Sequence, residues 1–89
     1  MQALDIYVTR HCFGCGEALR LAEEVSNIFP DLGVKVKYLE DMLPEEIPEV
    51  IATPSYFLNG KRLYLGNPAI EELAAMIFSV TRQVELSDE

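Results

Sequence analysis

The spacing of apolar residues switches between two periods along the chain, and each switch marks an element. Leu4-Asp5-Ile6-Tyr7-Val8-Thr9 is rich in β-branched and aromatic residues and reads as a strand. Arg10-His11-Cys12-Phe13-Gly14-Cys15-Gly16 follows as a turn with two glycines. From Glu17 to Phe29 the apolar residues fall at 18, 21, 22, 25, 28 and 29, the spacing of one helix face. Glu17, Arg20, Glu23, Glu24 and Asn27 occupy the face that water can solvate. Pro30, Asp31 and Gly33 end that helix. Val34 to Leu39 sets Lys35 and Lys37 against Val34, Val36 and Tyr38, the alternation of a second strand. A helix between two strands makes a βαβ unit, for which a right-handed crossover and parallel strands are expected.

The stretch from Glu40 to Ala52 has no clear period. Pro44 before Glu45 and Glu46 suits a helix start, but Pro48 interrupts it within a turn, so one short helical turn or an irregular connection is expected. Ser55-Tyr56-Phe57-Leu58 is a third strand and Lys61 to Leu65 a fourth. Asn59-Gly60 between them is a strong hairpin signal, because both residues accept positive φ. Gly66-Asn67-Pro68 opens a last helix, with Asn67 as its expected cap and Pro68 at its first position. Ile70, Leu73, Ala74, Ile77, Val80, Thr81 and Val84 form its buried stripe, and Glu71 and Glu72 sit where the helix dipole favours acids. The predicted fold is α/β: β-α-β, a connector, then β-β-α, with a four-stranded mixed sheet flanked by helices. Residues 1–84 form the expected single domain, and Glu85 to Glu89 a frayed acidic tail.

Composition narrows the function. A chain of 89 residues with 49% apolar content suits one globular domain and argues against disorder. No apolar run approaches the ~20 residues of a membrane span. Met1-Gln2-Ala3-Leu4-Asp5 lacks the basic start and apolar block of a secretory signal, so a cytoplasmic monomer is expected. The formal net charge of −8 disfavours nucleic acid, and Lys35, Lys37, Lys61 and Arg62 form no basic stripe.

The two cysteines stand three apart, at the start of a helix that follows a strand. Two cysteines do not make a secreted disulfide scaffold; a tight pair reads as redox chemistry or half a metal site. Residues i and i+3 of a helix are neighbours, with Cα atoms about 5–6 Å apart, within disulfide reach. Unpaired N–H groups at a helix start favour a thiolate and lower its pKa. The apolar stripe, extended back from Ala18 and Ala22, lands on Cys15 and turns it toward the core. Cys12 is then the exposed nucleophile and Cys15 the resolving thiol. Zinc would need four ligands; His11 offers a third, but no second C-x-x-C supplies the rest. A metal-binding module and a redox-regulated interaction domain remain as alternatives. Arg10 and His11 are the only local positive charges and either lower the pKa of Cys12 or sit solvated in the loop. Phe13, between the cysteines, is expected as an exposed contact for a partner, whereas Tyr7, Tyr38, Tyr56 and Phe57 are expected to pack.

Three segments together resemble the thioredoxin/glutaredoxin superfamily over residues 3 to 80: His11-Cys12-Phe13-Gly14-Cys15 after a first strand, Thr53-Pro54 before a third, and Asn59-Gly60-Lys61 leading to Gly66. The resemblance implies a thiol–disulfide oxidoreductase, thioredoxin-like or glutaredoxin-like. Its only cofactor would be the redox-active Cys12–Cys15 disulfide, with glutathione as a further candidate, and its partners protein disulfides and a recycling reductase. It also implies a cis Thr53-Pro54 bond lying against the cysteines, with Thr53, Pro54, Phe13 and His11 meeting substrate. Thioredoxins typically carry Cys-Gly-Pro-Cys after a tryptophan; here His11 takes the tryptophan position and Phe13-Gly14 replaces Gly-Pro. They also bury an acid six residues before the first cysteine, where this chain has Ile6. Glutaredoxins usually carry Cys-Pro-Tyr-Cys and a Gly-Gly turn that holds glutathione; this chain has Leu65-Gly66-Asn67-Pro68. Small copper carriers also place C-x-x-C after a first strand, but they end on a strand rather than a long helix.

Overall fold

A computed structural model describes residues 2–48 and 52–87, with side chains as far as 81. The elements are β1 (Ala3–Val8), α1 (Cys15–Ile28), β2 (Gly33–Tyr38), β3 (Ser55–Leu58), β4 (Lys61–Leu65) and α2 (Ile70–Ser87), in the expected order. Val84 and the segment 85–89 lie outside the described side chains, although the α2 backbone continues to Ser87. The unreadable connector forms two single 3₁₀ turns, Leu39–Asp41 and Pro44–Glu46, while 49–51 lie outside the described residues.

The sheet has strand order β2-β1-β3-β4. β1 runs parallel to β2 and antiparallel to β3, and β4 is antiparallel to β3. Side chains alternate across a strand, so Leu4, Ile6 and Val8 share one face. They join Tyr56 and Leu58 of β3, Ala18, Leu21, Ala22 and Val25 of α1, and Leu73 and Ile77 of α2 in one buried cluster. Both helices therefore cover the same face. On the opposite face Tyr7 and Phe57 pack edge to face with ring centroids 5.2 Å apart. Lys37 lies over the Tyr7 ring and 3.6 Å from the Asp5 carboxylate. The aromatic residues expected to pack do so: Tyr7, Tyr56 and Phe57 are buried and Tyr38 is half-buried.

Asn59 and Gly60 have φ of 53° and 86°, the two positive values a two-residue hairpin turn requires. The same Asn59 ties the hairpin to the chain start, its N–H donating to the Ala3 carbonyl and its Oδ1 accepting from the Ala3 N–H.

One helix start differs from expectation. Asn67 does not cap α2, which begins at Ile70, and its first main-chain bond runs from Leu73 N–H to the Ala69 carbonyl. The Asn67 amide is held elsewhere, as described below, so the chain makes its bend before the helix rather than at its first turn.

Candidate active site

Cys12 and Cys15 lie just beyond the C-terminal end of β1, where the chain turns into α1. They are joined as a disulfide, with Cα atoms 5.3 Å apart. The distance matches the helical estimate, but its origin differs. Only Cys15 is helical; Gly14 caps α1 with φ 95° and ψ −8°, a left-handed conformation that places Cys12 in the turn before the helix. A bond from the Cys15 N–H to the Cys12 carbonyl, 3.3 Å long, closes that turn. Gly14 is required there for two reasons. The conformation strains any residue with a Cβ, and a Cβ would sit 3.1 Å from Asn67 Nδ2. Gly14→Ala is expected to cost about 1–2 kcal/mol, read as a lower urea midpoint at unchanged slope. An unchanged midpoint would show that the turn relaxes out of the left-handed region.

The two sulfurs differ in shelter. Cys15 is 6% exposed and belongs to the buried cluster, while Cys12 is half-buried and packs against its edge. A cleft of about 250 Å³ opens beside them, lined by Val8, Thr9, Arg10, Leu19 and Tyr38 as well as both cysteines. A larger cleft of about 370 Å³ lies at the other end of β1, between Ile28, Pro30 and Phe78, and holds neither cysteine. Phe13, at the tip of the turn, is fully exposed, and His11 is exposed beside it.

Thr53-Pro54 is cis. Thr53 is half-buried and Pro54 buried, immediately before β3. Hydrogen bonds connect this loop to the cysteine turn: Gly66 N–H donates to the Pro54 carbonyl at 2.8 Å, and the neighbouring Asn67 donates from Nδ2 to the Gly14 carbonyl at 2.8 Å. The Tyr56 hydroxyl in turn donates to Asn67 Oδ1 at 2.9 Å. Burial and the nearby Glu17 charge both raise the Tyr56 phenol above its ordinary value, which keeps it a neutral donor. Nothing local to Asn67 signals this role, because Gly14 stands 53 positions away.

Arg10 is not a free cation beside Cys12. Its guanidinium makes two bonds to Asp41, at 3.1 and 2.7 Å, and lies 4.7 Å from the Tyr38 ring centroid. The Arg10 N–H donates to Glu40 Oε2 at 2.8 Å. Bonding to Arg10 holds Asp41 and Glu40 below their ordinary carboxylate values. Such lowered carboxylates stabilise the clamp above their unfolded pKa values and lose it as acid protonates them, so at neutral pH it is closed. The clamp fastens the turn after β2 to the loop that carries Cys12. Among the described residues, no group of three or more His, Cys, Asp or Glu side chains is placed to hold a metal ion, and no helix is long and apolar enough to cross a membrane.

A bonded cysteine pair with one sheltered and one more accessible sulfur, at the start of a helix, can exchange disulfides: the accessible thiolate attacks and the sheltered thiol displaces. No family model matches the chain. A curated protein named thioredoxin, from Methanocaldococcus jannaschii, is 32% identical over 77 residues, which cover 83% of this chain and 89% of that protein. With the mixed four-stranded sheet, the cysteine pair before α1 and Thr53-Pro54 before β3, this similarity makes the chain a member of the thioredoxin family, of the small thioredoxin-like kind.

Proposed function

We propose that the protein is a thiol–disulfide oxidoreductase that reduces or exchanges protein disulfides, with Cys12 as nucleophile and Cys15 as resolving thiol. The observation that carries this reading is the unequal shelter of two bonded sulfurs at the mouth of α1. In the reduced chain the Cys12 thiolate attacks a substrate disulfide, one substrate sulfur leaves, and a mixed disulfide forms. Cys15 then gives up its proton and attacks Cys12 Sγ, releasing the second substrate sulfur. The substrate gains two electrons and two protons, and the chain is left with the Cys12–Cys15 bond. Exposed Phe13 and His11 flank the nucleophile as contacts for the incoming protein, and the backbone of Thr53, before Pro54, offers hydrogen-bonding groups to an extended substrate strand. Return to the dithiol falls to a partner reductase or to glutathione. The setting that suits this cycle is the reducing cytoplasm, with the chain acting as a monomer.

The test combines turnover with labelling. With dithiothreitol as recycling reductant, the wild-type chain should reduce a protein disulfide over many cycles, and Cys12→Ser should fall to background. Brief alkylation of the reduced protein near pH 7 should label Cys12 well before Cys15. Equal labelling, or turnover that survives in Cys12→Ser, would overturn the assignment.

A further inference from the structure

Asn67 has no part in capping α2, and its side chain is committed on both sides. Nδ2 donates to the Gly14 carbonyl and Oδ1 accepts from the Tyr56 hydroxyl. Tyr56 is fully buried in the central cluster, so its ring is a fixed anchor. Only one orientation of the amide suits both neighbours, since reversing it would set its oxygen against the Gly14 oxygen. The Gly14 carbonyl also accepts the Ala18 N–H at 3.3 Å. Two donors thus fix the Gly14–Cys15 peptide, in a turn that Gly14 enters with a left-handed φ. That peptide sets where Cys15 stands relative to Cys12.

We infer that Asn67, oriented by Tyr56, is a positioning residue that sets the dithiol–disulfide equilibrium of the Cys12–Cys15 pair. This rests on the reading of that pair as a redox couple. The physical reason is preorganisation. A turn held at the same Cα separation after reduction keeps the two thiols facing each other, so closing the disulfide orders little that is not already ordered. Without the Asn67 bond the turn explores other conformations, the two thiols meet less often, and the dithiol gains entropy. The disulfide then becomes easier to reduce.

The experiment is a glutathione redox titration of the isolated chain. Two glutathione molecules are oxidised to one glutathione disulfide for each Cys12–Cys15 bond reduced, so two electrons and two protons are exchanged. Asn67→Ala should weaken disulfide formation about tenfold, which corresponds to a potential about 30 mV more oxidising. Tyr56→Phe removes a single oxygen, keeps the buried ring, and should shift the equilibrium about threefold in the same direction. In the Asn67→Ala background, Tyr56→Phe should add nothing, because the phenol acts through the amide. If both single variants titrate within about twofold of wild type while melting at lower temperature, Asn67 is a structural brace and the inference fails, with the proposed function intact. Should Asn67→Ala not fold, the Tyr56→Phe titration decides alone, and an unshifted curve overturns the inference. A wild-type chain that forms no Cys12–Cys15 disulfide at any glutathione ratio removes the redox reading itself, and this inference with it.

Discussion

Cys15→Ser will trap its substrates. The variant keeps Cys12 at the mouth of α1 and so keeps the attack on a protein disulfide, but it has no neighbouring thiol to displace the product. A thiol held one turn away acts at an effective concentration far above that of any thiol in solution. Turnover is therefore expected to fall by at least about a thousandfold. A one-to-one adduct with the substrate should accumulate, stable on a non-reducing gel and released by dithiothreitol. Cys12→Ser should form none. The reverse pattern, an adduct through Cys15 and none through Cys12, would show that the more sheltered sulfur is the attacking one. Cys15 is held at 6% exposure inside the cluster that α1 makes with β1. A substrate sulfur would have to fit into the cleft beside α1 to reach it, whereas Cys12 is the more exposed of the two.

Ile6→Asp carries the second large effect, on stability and on rate together. Ile6 is fully buried, in the same cluster as Cys15. Truncating a buried Ile costs about 2–5 kcal/mol, and an unpaired buried carboxyl adds to that. A total of about 3–8 kcal/mol is a large share of the 5–15 kcal/mol that holds an ordinary domain together. The sign of the pH dependence follows from burial, which raises the folded-state pKa above the unfolded value near 4. Relative to wild type, the variant should lose least stability below pH 4 and progressively more as pH rises through the raised pKa. A carboxylate under Cys15 would also accept the proton that Cys15 must lose to attack. Resolution of the mixed disulfide should then speed up near pH 7, even in a weaker protein. An unchanged resolution rate and pH profile would mean that the proton already leaves by another route. Asp5 is poorly placed for it, being the residue just before Ile6 in β1, on the opposite face beside Lys37. The cleft lined by Val8, Thr9, Leu19 and Tyr38 reaches Cys15 from solvent, and water there would be the acceptor.

What the sequence made legible was local, or carried by pairs of strong signals. Asn59-Gly60 needs only its own two φ angles, and the third and fourth strands have the bounds expected from its flanks. The alternation of Leu4, Ile6 and Val8 and the stripe from Ala18 to Val25 faced the core as their periods required. The cysteine pair was read at the right separation for an incomplete reason, because the left-handed Gly14 moves Cys12 off the helix. Asn67-Pro68 has the local form of a cap, but Tyr56 and Gly14 compete for the same amide and win it from afar. Arg10 looked like a free charge because its partners, Glu40 and Asp41, lie 30 and 31 positions on, beyond the reach of any local pattern. The segment after β2 gave no period because its described residues form single 3₁₀ turns, Leu39–Asp41 and Pro44–Glu46, neither of which buries a residue.

The strand order has a consequence for synthesis of the chain. β1 is an inner strand, yet it is made before the other three strands, and Leu4 must wait for Leu58 before its second edge is paired. A ribosome adds about 5–20 residues each second, so for several seconds the emerging segment can hold only β1, α1 and β2 together. During that interval Tyr56, Leu58, Leu73 and Ile77, which complete the buried cluster that includes Cys15, have not yet arrived. The core that holds Cys15 is thus begun by its own helix and β1, and completed only by residues translated after them.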